Sequence, residues 1–304
     1  MKGLELARAY YETVGRAALE QALPALAPRM AVGLAGEGSE CFGFDDELSR
    51  DHDWGPGFCI WLQAEDFDRY GEQVQAVYDR LPGFAGMLRR QAGPNSTGRI
   101  GCLCIEDWYA RFTGLPQGPQ TLTQWRRVPE AFLATATNGQ VFCDPLGRFT
   151  AIRQHLLGFY PEDIRLKKLA ARAAAMAQAG QYNYPRCVQR GEIVAAQLAL
   201  GEFMRAAMSL GYLLNRRYAP FYKWMHRGLC ELPKLPRLYD QMQALCQQGA
   251  DAQTVIEGVC INAAAELRRQ GLSDSASSYL LDHCPQIMEH IQDPALRDSH
   301  IMEE

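Results

Sequence analysis

The chain has 304 residues, of which 47% are hydrophobic and 22% are charged, and its formal net charge is −4. This length and composition predict a globular protein of two domains. The negative balance argues against a protein that holds long nucleic acid by its overall charge, because displacing counterions from a phosphate backbone requires a basic surface.

Signals for membranes, export and zinc are also missing from the sequence. We find no stretch approaching the roughly 18 to 20 apolar residues that span a bilayer, and residues 1–5 lack the apolar core of a signal peptide. The ten cysteines include no C-x-x-C pair, which disfavours zinc and predicts reduced, mostly buried thiols. We therefore expect a cytoplasmic protein with no membrane partner.

The first half of the chain alternates between predicted helices and strands. Apolar residues at spacings of three and four indicate helices, and short apolar or alternating runs indicate strands. In chain order these are a helix over 4–22, a buried strand over 31–35, a strand over 58–62, a helix over 66–81, a strand over 99–105, a short helix from Thr121 and an edge strand over 140–149 that ends in a tight turn. The order strand, helix, strand predicts that the helix over 66–81 covers one face of a sheet.

Strand signals end near residue 150. Helical patterns follow over 165–178, 190–214, 239–246 and 254–270, and they predict a helical bundle. The expected fold is therefore α+β, with a small mixed-sheet core over residues 1–150 and a helical domain over residues 151–304.

Two carboxylates stand two positions apart just before the predicted strand over 58–62. Side chains on a strand repeat every two residues, so Asp51 and Asp53 are expected to point the same way and share a metal. Mg²⁺, with Mn²⁺ as the alternative, is usually held by one or two carboxylates together with substrate phosphates. The pair thus favours phosphoryl or nucleotidyl transfer. The other interpretation is a solvated polar turn with a helix cap.

Small residues follow the predicted strand over 31–35. Glycine lets a phosphate approach the main chain closely, and the following turn can offer N–H groups and a hydroxyl to an anion. Gly38 and Ser39 are therefore the candidate phosphate-binding residues.

One pattern in the chain resembles the signature of the DNA polymerase beta-like nucleotidyltransferase superfamily. It consists of Gly38-Ser39, eleven further residues and then Asp51-His52-Asp53. The runs over 36–56, 215–224 and 232–233 are similar to an uncharacterised bacterial family in which such a core precedes a helical region. The resemblance implies a nucleotidyltransferase core in which Asp51 and Asp53 hold the metal. One departure is His52, since the position between the two acids is usually apolar.

Many members of this superfamily place a third carboxylate on a later strand, where it helps hold the metal and acts as a base. The predicted strand over 99–105 has no acid in its apolar body, and Glu106 and Asp107 stand at its exit. We take Glu106 as the expected third carboxylate. In the other interpretation both acids begin a helix, where they offset the exposed amides of its first turn.

The resemblance also implies a helical domain that closes over the triphosphate and the acceptor. Within the run over 215–224, cations and aromatics interleave, and Arg216, Arg217 and Lys223 are the candidates for neutralising the outer phosphates. The other interpretation is a corner between helices, with Pro220 breaking the helix and the arginines in solvent.

Two functions from different classes follow. The first is an enzyme that transfers a nucleoside monophosphate from a nucleoside triphosphate, with ATP as the expected donor, to a hydroxyl on an unidentified small molecule, protein or RNA end. The second is a degenerate nucleotidyltransferase that binds a nucleotide or a protein partner without turnover, an alternative that the unsettled third carboxylate keeps open.

Overall fold

The computed structural model describes residues 1–50, 54–90, 98–247 and 251–304, with the side chain of Arg50 excluded. Asp51, His52 and Asp53 therefore lie outside the described residues.

Contacts along the chain divide it into two compact units. The first comprises residues 1–119 and 132–158, and the second comprises residues 120–131 and 159–304. The functional domains expected over 1–150 and 151–304 stay a prediction.

The first unit contains a four-stranded mixed sheet. Its strands are β1 (Ala31–Leu34), β2 (Cys59–Leu62), β3 (Gly101–Cys104) and β4 (Gln140–Cys143), in the spatial order β3-β2-β1-β4. β1 is antiparallel to both of its neighbours, whereas β2 and β3 are parallel. The prediction of a mixed sheet is confirmed, as is the position of β4 at its edge.

Helices cover both faces of this sheet. They are α1 (Gly3–Tyr10), α2 (Arg16–Ala22), α3 (Ala64–Asp79), α4 (Ile105–Thr113), α7 (Arg148–Leu157) and, from residue 132 onward, α6 (Glu130–Thr137). A π-helical turn, Tyr11–Gly15, joins α1 to α2 and completes the predicted first helix. α3 is the predicted crossover between the parallel strands β2 and β3.

Alternating side chains around β2 explain why it is buried throughout. Phe58, just before the strand, packs on Tyr10 of α1 and Tyr78 of α3, with ring centroids 5.5 and 5.1 Å apart. Trp61 points the other way and stacks on Phe149 of α7 at 4.0 Å. A strand covered on both faces loses the polar alternation of a surface strand, which is why this run reads as continuously apolar.

The strand predicted over 140–149 is shorter in the structure. The chain turns after β4, where the Gly147 N–H donates to the Asp144 carbonyl at 3.0 Å, and Arg148 begins α7. Packing of Phe149 on Trp61 supplies the reason, because it gives this segment a helical face against the sheet.

The described part of the second unit is helical. Its helices are α5 (Leu122–Arg127), α8 (Glu162–Met176), α9 (Tyr184–Gln189), α10 (Ile193–Leu214), α11 (Tyr222–Met225), α12 (Leu238–Leu245), α13 (Ala252–Arg269), α14 (Cys284–Glu289) and α15 (Pro294–Arg297). The short helix predicted from Thr121 is α5, and Thr121 caps it, with its side chain accepting from the Gln124 amide. The α+β class, with a sheet-containing first part and a helical second part, is confirmed.

One described helix, α10, is long and apolar enough by length and composition to cross a membrane, with a mean hydropathy of 1.3 over its most apolar 18 residues. The expectation of a chain without any such segment therefore does not hold for α10. The buried helices of folded domains pass the same test. In α10, 39% of this window is buried, including Phe203 and Leu210, while Leu198 is exposed. The absence of a membrane partner stays a prediction.

Candidate active site

Antiparallel pairing brings the C-terminal end of β1 and the N-terminal end of β2 together, at the edge of the sheet where the strand ends lie. Ala31 pairs with Trp61 and Gly33 with Cys59 in antiparallel register. Residues 36–39 leave β1 at this edge, which we call the glycine edge. Asp51 and Asp53 precede β2 in sequence but lie outside the described residues, so the metal site stays a prediction.

The turn over residues 36–39 needs glycine at two positions. Gly36 and Gly38 have φ values of +111° and +143°, which side chains of other residues rarely tolerate. A Cβ at Gly38 would also lie 2.6 Å from both carboxylate oxygens of Glu40. The turn therefore has a defined shape that depends on glycine.

Asn138 fixes the first glycine of the turn. Its Oδ1 accepts the Gly36 N–H and its Nδ2 donates to the Gly36 carbonyl, both at 2.8 Å. Arg153 in turn donates to the main-chain carbonyls of Asn138 and Gly139 at 2.7 and 3.2 Å. Burial lowers the pKa of the Arg153 guanidinium. These two residues were not among the sequence candidates.

Polar groups of the second half of the turn remain unused. The main-chain amides of Gly38 and Ser39 and the Ser39 hydroxyl have no hydrogen-bond partner among the described residues. Both residues are partly exposed. Adjacent N–H groups with a nearby hydroxyl suit an anion such as phosphate.

Arginines surround the turn. Arg90 donates to the Glu40 Oε1 at 2.9 Å, and both side chains are less than 10% exposed. Glu37 is exposed and receives Arg99 at 3.2 Å and Arg111 at 2.9 Å on the same carboxylate oxygen. Arg99 and Arg111 are less buried than Arg90, so they are the cations beside this turn that suit a phosphate.

Glu106 lies at the other end of the strands. Because β3 runs parallel to β2, residues that follow β3 lie where β2 ends, not where it begins. Glu106 Oε2 accepts a hydrogen bond from the N–H of Ala64, the first residue of α3, at 3.0 Å. The Cys104 thiol donates to the same oxygen, with Sγ at 3.3 Å. Glu106 therefore stabilises the start of α3 while lying in the first turn of α4, and the structure does not bring it together with Gly38 and Ser39.

Among the residues that the structure describes, no group of three or more His, Cys, Asp or Glu side chains could hold a metal ion. Any metal at the glycine edge would therefore depend on Asp51 and Asp53.

The predicted phosphate clamp lies in the second unit. Arg216 donates to the Glu162 carboxylate at 2.6 Å, and Arg217 lies 3.6 Å from Glu231. Lys223 is exposed on α11, with its Nζ 5.2 Å from the ring of Trp224. These contacts are those of a solvent-facing corner, and a phosphate contact by the three cations stays a prediction.

Comparisons with known proteins give one family match and one structural likeness. Residues 125–225 match the model of DUF4037, a domain of unknown function. The search of curated proteins found no match. A crystal structure of a nucleotidyltransferase-like protein from Exiguobacterium sibiricum 255-15 is similar with 11% sequence identity and a TM-score of 0.38, covering 92% of this chain and 81% of that chain.

Proposed function

We propose that this chain is a Mg²⁺-dependent nucleotidyltransferase that moves AMP from ATP to a hydroxyl on an unidentified acceptor. One observation supports the proposal most strongly. The antiparallel pairing of β1 with β2 brings an unsatisfied Gly38-Ser39 turn to the edge at which the segment carrying Asp51 and Asp53 enters the sheet.

Each residue of the glycine edge has a role in this proposal. The amides of Gly38 and Ser39 and the Ser39 hydroxyl donate to phosphate oxygens of ATP. Arg99 and Arg111, which share one oxygen of the exposed Glu37, exchange that carboxylate for the outer phosphates. Donors held in place before the reaction stabilise the negative charge that develops on the departing pyrophosphate.

The metal would be held by Asp51 and Asp53. The described donors at the edge are amides, a hydroxyl and guanidinium groups, which fit the phosphates and leave the cation to these two carboxylates. When bound, Mg²⁺ neutralises charge on the phosphates and orients them for in-line displacement.

In the reaction, the acceptor oxygen forms a bond to the α-phosphorus of ATP while the bond to the bridging oxygen of the β-phosphate breaks. Pyrophosphate leaves, and the proton of the acceptor hydroxyl passes to a base. Glu37 and Glu40, the described carboxylates of the glycine edge, are both paired with arginine. Glu40 stays in its buried pair with Arg90, whereas Glu37 loses its two arginines to the phosphates and is the described carboxylate free to accept the proton. Glu106 is not part of this proposed site.

In the described structure both Glu37 and Glu40 are paired with arginine, and this pairing favours a second candidate function. A degenerate nucleotidyltransferase would keep the phosphate-binding turn and its arginines yet lack the group that accepts the proton. Such a protein would bind ATP as a regulatory ligand and release no pyrophosphate.

Calorimetry with ATP and Mg²⁺, followed by a pyrophosphate-release assay over libraries of hydroxyl acceptors, distinguishes the two functions. The enzyme releases pyrophosphate in the presence of its acceptor. Tight ATP binding without release would support the regulatory binder, and no binding of ATP would contradict both.

A further inference from the structure

Two buried cations of α8 hold one carboxylate in the second unit. Lys168 Nζ lies 3.7 Å from the Glu304 Oε2, and Arg172 contacts the Glu304 Oε1. The Lys168 and Arg172 side chains are only 8% and 17% exposed. Because they are four residues apart on a helix, they lie on one face and offer one cation to each carboxylate oxygen.

Buried polar groups without partners lie next to these cations. Arg172 donates from Nε to the Ser209 hydroxyl at 2.9 Å, and that hydroxyl donates to the Glu130 Oε2 at 3.0 Å. The other Glu130 oxygen and the Tyr160 hydroxyl are buried without a partner of good hydrogen-bond geometry among the described residues, although the Ala219 main-chain N–H lies close enough to the Glu130 carboxylate to favour its charged form. Leaving buried polar atoms unpaired is costly, so an ordered water or a polar group of a ligand would stabilise these two atoms.

The Tyr160 hydroxyl belongs to the same cluster. Lys168 Nζ lies 5.4 Å from the centre of the Tyr160 ring. Glu130, Arg172 and Glu304 all act electrostatically on the hydroxyl, and burial raises its pKa well above the usual value. It stays protonated at neutral pH and can donate to a ligand.

A pocket adjoins this cluster at Arg172 and Glu304. Its volume is about 500 Å³, and its lining includes Arg172, Leu198, Arg205, Met302 and Glu304. That space is large enough for a small organic molecule, and Arg172 and Glu304 belong both to the pocket and to the cation pair.

We infer that Lys168 and Arg172 form a binding site for the carboxylate of a small organic acid, and that the Glu304 side chain is its internal substitute. The unpaired Glu130 oxygen would accept from an N–H or O–H of the same ligand, and the Tyr160 hydroxyl would donate to it. Hydroxy acids and amino acids combine these groups.

The chain segment that supplies Glu304 is anchored just before it. Lys167 donates to the main-chain carbonyls of Leu296, Ser299 and His300 at 3.3, 3.1 and 2.8 Å. Four residues therefore separate this anchor from the Glu304 carboxylate. A tether this short holds Glu304 at an effective concentration in the millimolar range, and a ligand must compete with it.

Glu304→Gln tests the site, and Glu303→Gln is the matched control. Glu303 carries the same charge one residue earlier, but it is 61% exposed and pairs with Arg126. The probe is L-glutamate, measured by calorimetry on the full chain. We expect the Glu304→Gln variant to bind L-glutamate about tenfold more tightly than the unchanged chain and the control, because the tethered competitor is gone.

Adding Arg172→Gln to Glu304→Gln should abolish that binding. No binding of L-glutamate by Glu304→Gln at millimolar concentrations, or binding that survives Arg172→Gln, would overturn the inference. Equal binding of inorganic phosphate would overturn the carboxylate assignment.

Hydrogen exchange provides a readout that does not depend on the folding of any variant. In the unchanged chain, saturating L-glutamate should remove the protection of the Met302 and Glu303 amides, which donate to His300, and leave that of residues 296–300, which Lys167 anchors. Unchanged exchange over 301–304 would contradict displacement of Glu304. Neither experiment includes a nucleotide, so their failure is distinct from failure of the proposed transferase.

Discussion

Gly38 offers a sharp test of the glycine edge, because the structure predicts two separate costs of adding one methyl group there. At φ +143° an alanine is strained, by about 1 to 3 kcal/mol. The added Cβ would also lie 2.6 Å from the carboxylate oxygens of Glu40, which cannot move away freely because Arg90 holds it in a buried ion pair at 2.9 Å. Breaking such a buried ion pair costs about 3 to 5 kcal/mol, and displacing Glu40 partly from Arg90 costs a fraction of that free energy.

We therefore expect Gly38→Ala to lower the free energy of unfolding by about 3 kcal/mol or more. Gly43→Ala is the matched control from the same loop. Gly43 also has a positive φ of +73°, but a Cβ there meets nothing within 4 Å, so only conformational strain of about 1 to 2 kcal/mol applies.

Urea unfolding followed by tryptophan fluorescence measures both variants, and calorimetry with ATP follows binding. Gly38→Ala should be the less stable of the two and should lose ATP affinity, whereas Gly43→Ala should retain it. Equal losses of stability in the two variants would refute the argument that Arg90 and Glu40 set the shape of the turn.

Three further predictions concern other parts of the chain. Ser39→Ala should weaken ATP binding by about 1 to 2 kcal/mol in calorimetry, because a hydroxyl contact to a charged phosphate is lost, and an unchanged affinity would show that the hydroxyl does not bind phosphate. Lys223→Ala should cost about 1.5 to 3 kcal/mol in ATP affinity and less for AMP if the clamp exists, and equal losses or none would rule it out. Burial raises the pKa of the Glu130 carboxyl in the folded chain. Above about pH 4.3, the pKa of a glutamate in the unfolded chain, deprotonation therefore favours unfolding, and below that pH this effect disappears. Glu130→Gln should therefore raise the melting temperature at pH 7, and this gain should shrink as the pH falls towards about 4; a gain that is constant with pH would contradict a raised pKa.

Local sequence patterns predict the four strands, the first helix and the helix α3, but they do not predict α6 or α7. Every strand of the sheet lies within an apolar or alternating run, and the burial of such a run is a property of the segment itself. The crossover helix between β2 and β3 follows from the order of elements, and the start of α5 near Thr121 follows from the turn-forming residues before it.

Contacts between distant segments could not be predicted in the same way. Arg90 reaches Glu40 from 50 residues away, and Arg111 reaches Glu37 from 74 residues away. Asn138 is 102 residues from the glycine whose main chain it holds. No spacing in the sequence marks such partners, since they meet only after the strands have paired.

The position of Glu106 shows a related limit. An apolar run predicts a strand but not the direction in which it pairs, and the parallel pairing of β3 with β2 places Glu106 at the end away from the glycine turn. The alanine-rich run over 165–178 likewise resembles a solvated helix, yet its Lys167 and Lys168 are buried. Main-chain carbonyls around Lys167 and the Glu304 carboxylate beside Lys168 offset the free energy of removing these charges from water.

The most direct test of the proposed function is the affinity for Mg²⁺-ATP in chains that lack one of the two predicted metal ligands. Asp51→Asn and Asp53→Asn should each keep the fold, checked by circular dichroism, and lose most of the Mg²⁺-dependent ATP binding. Glu47→Gln removes the same charge from an exposed side chain of the same segment and should bind as the unchanged chain does. Unchanged Mg²⁺-ATP affinity in both aspartate variants would contradict the assignment of the metal site and with it the proposed transferase.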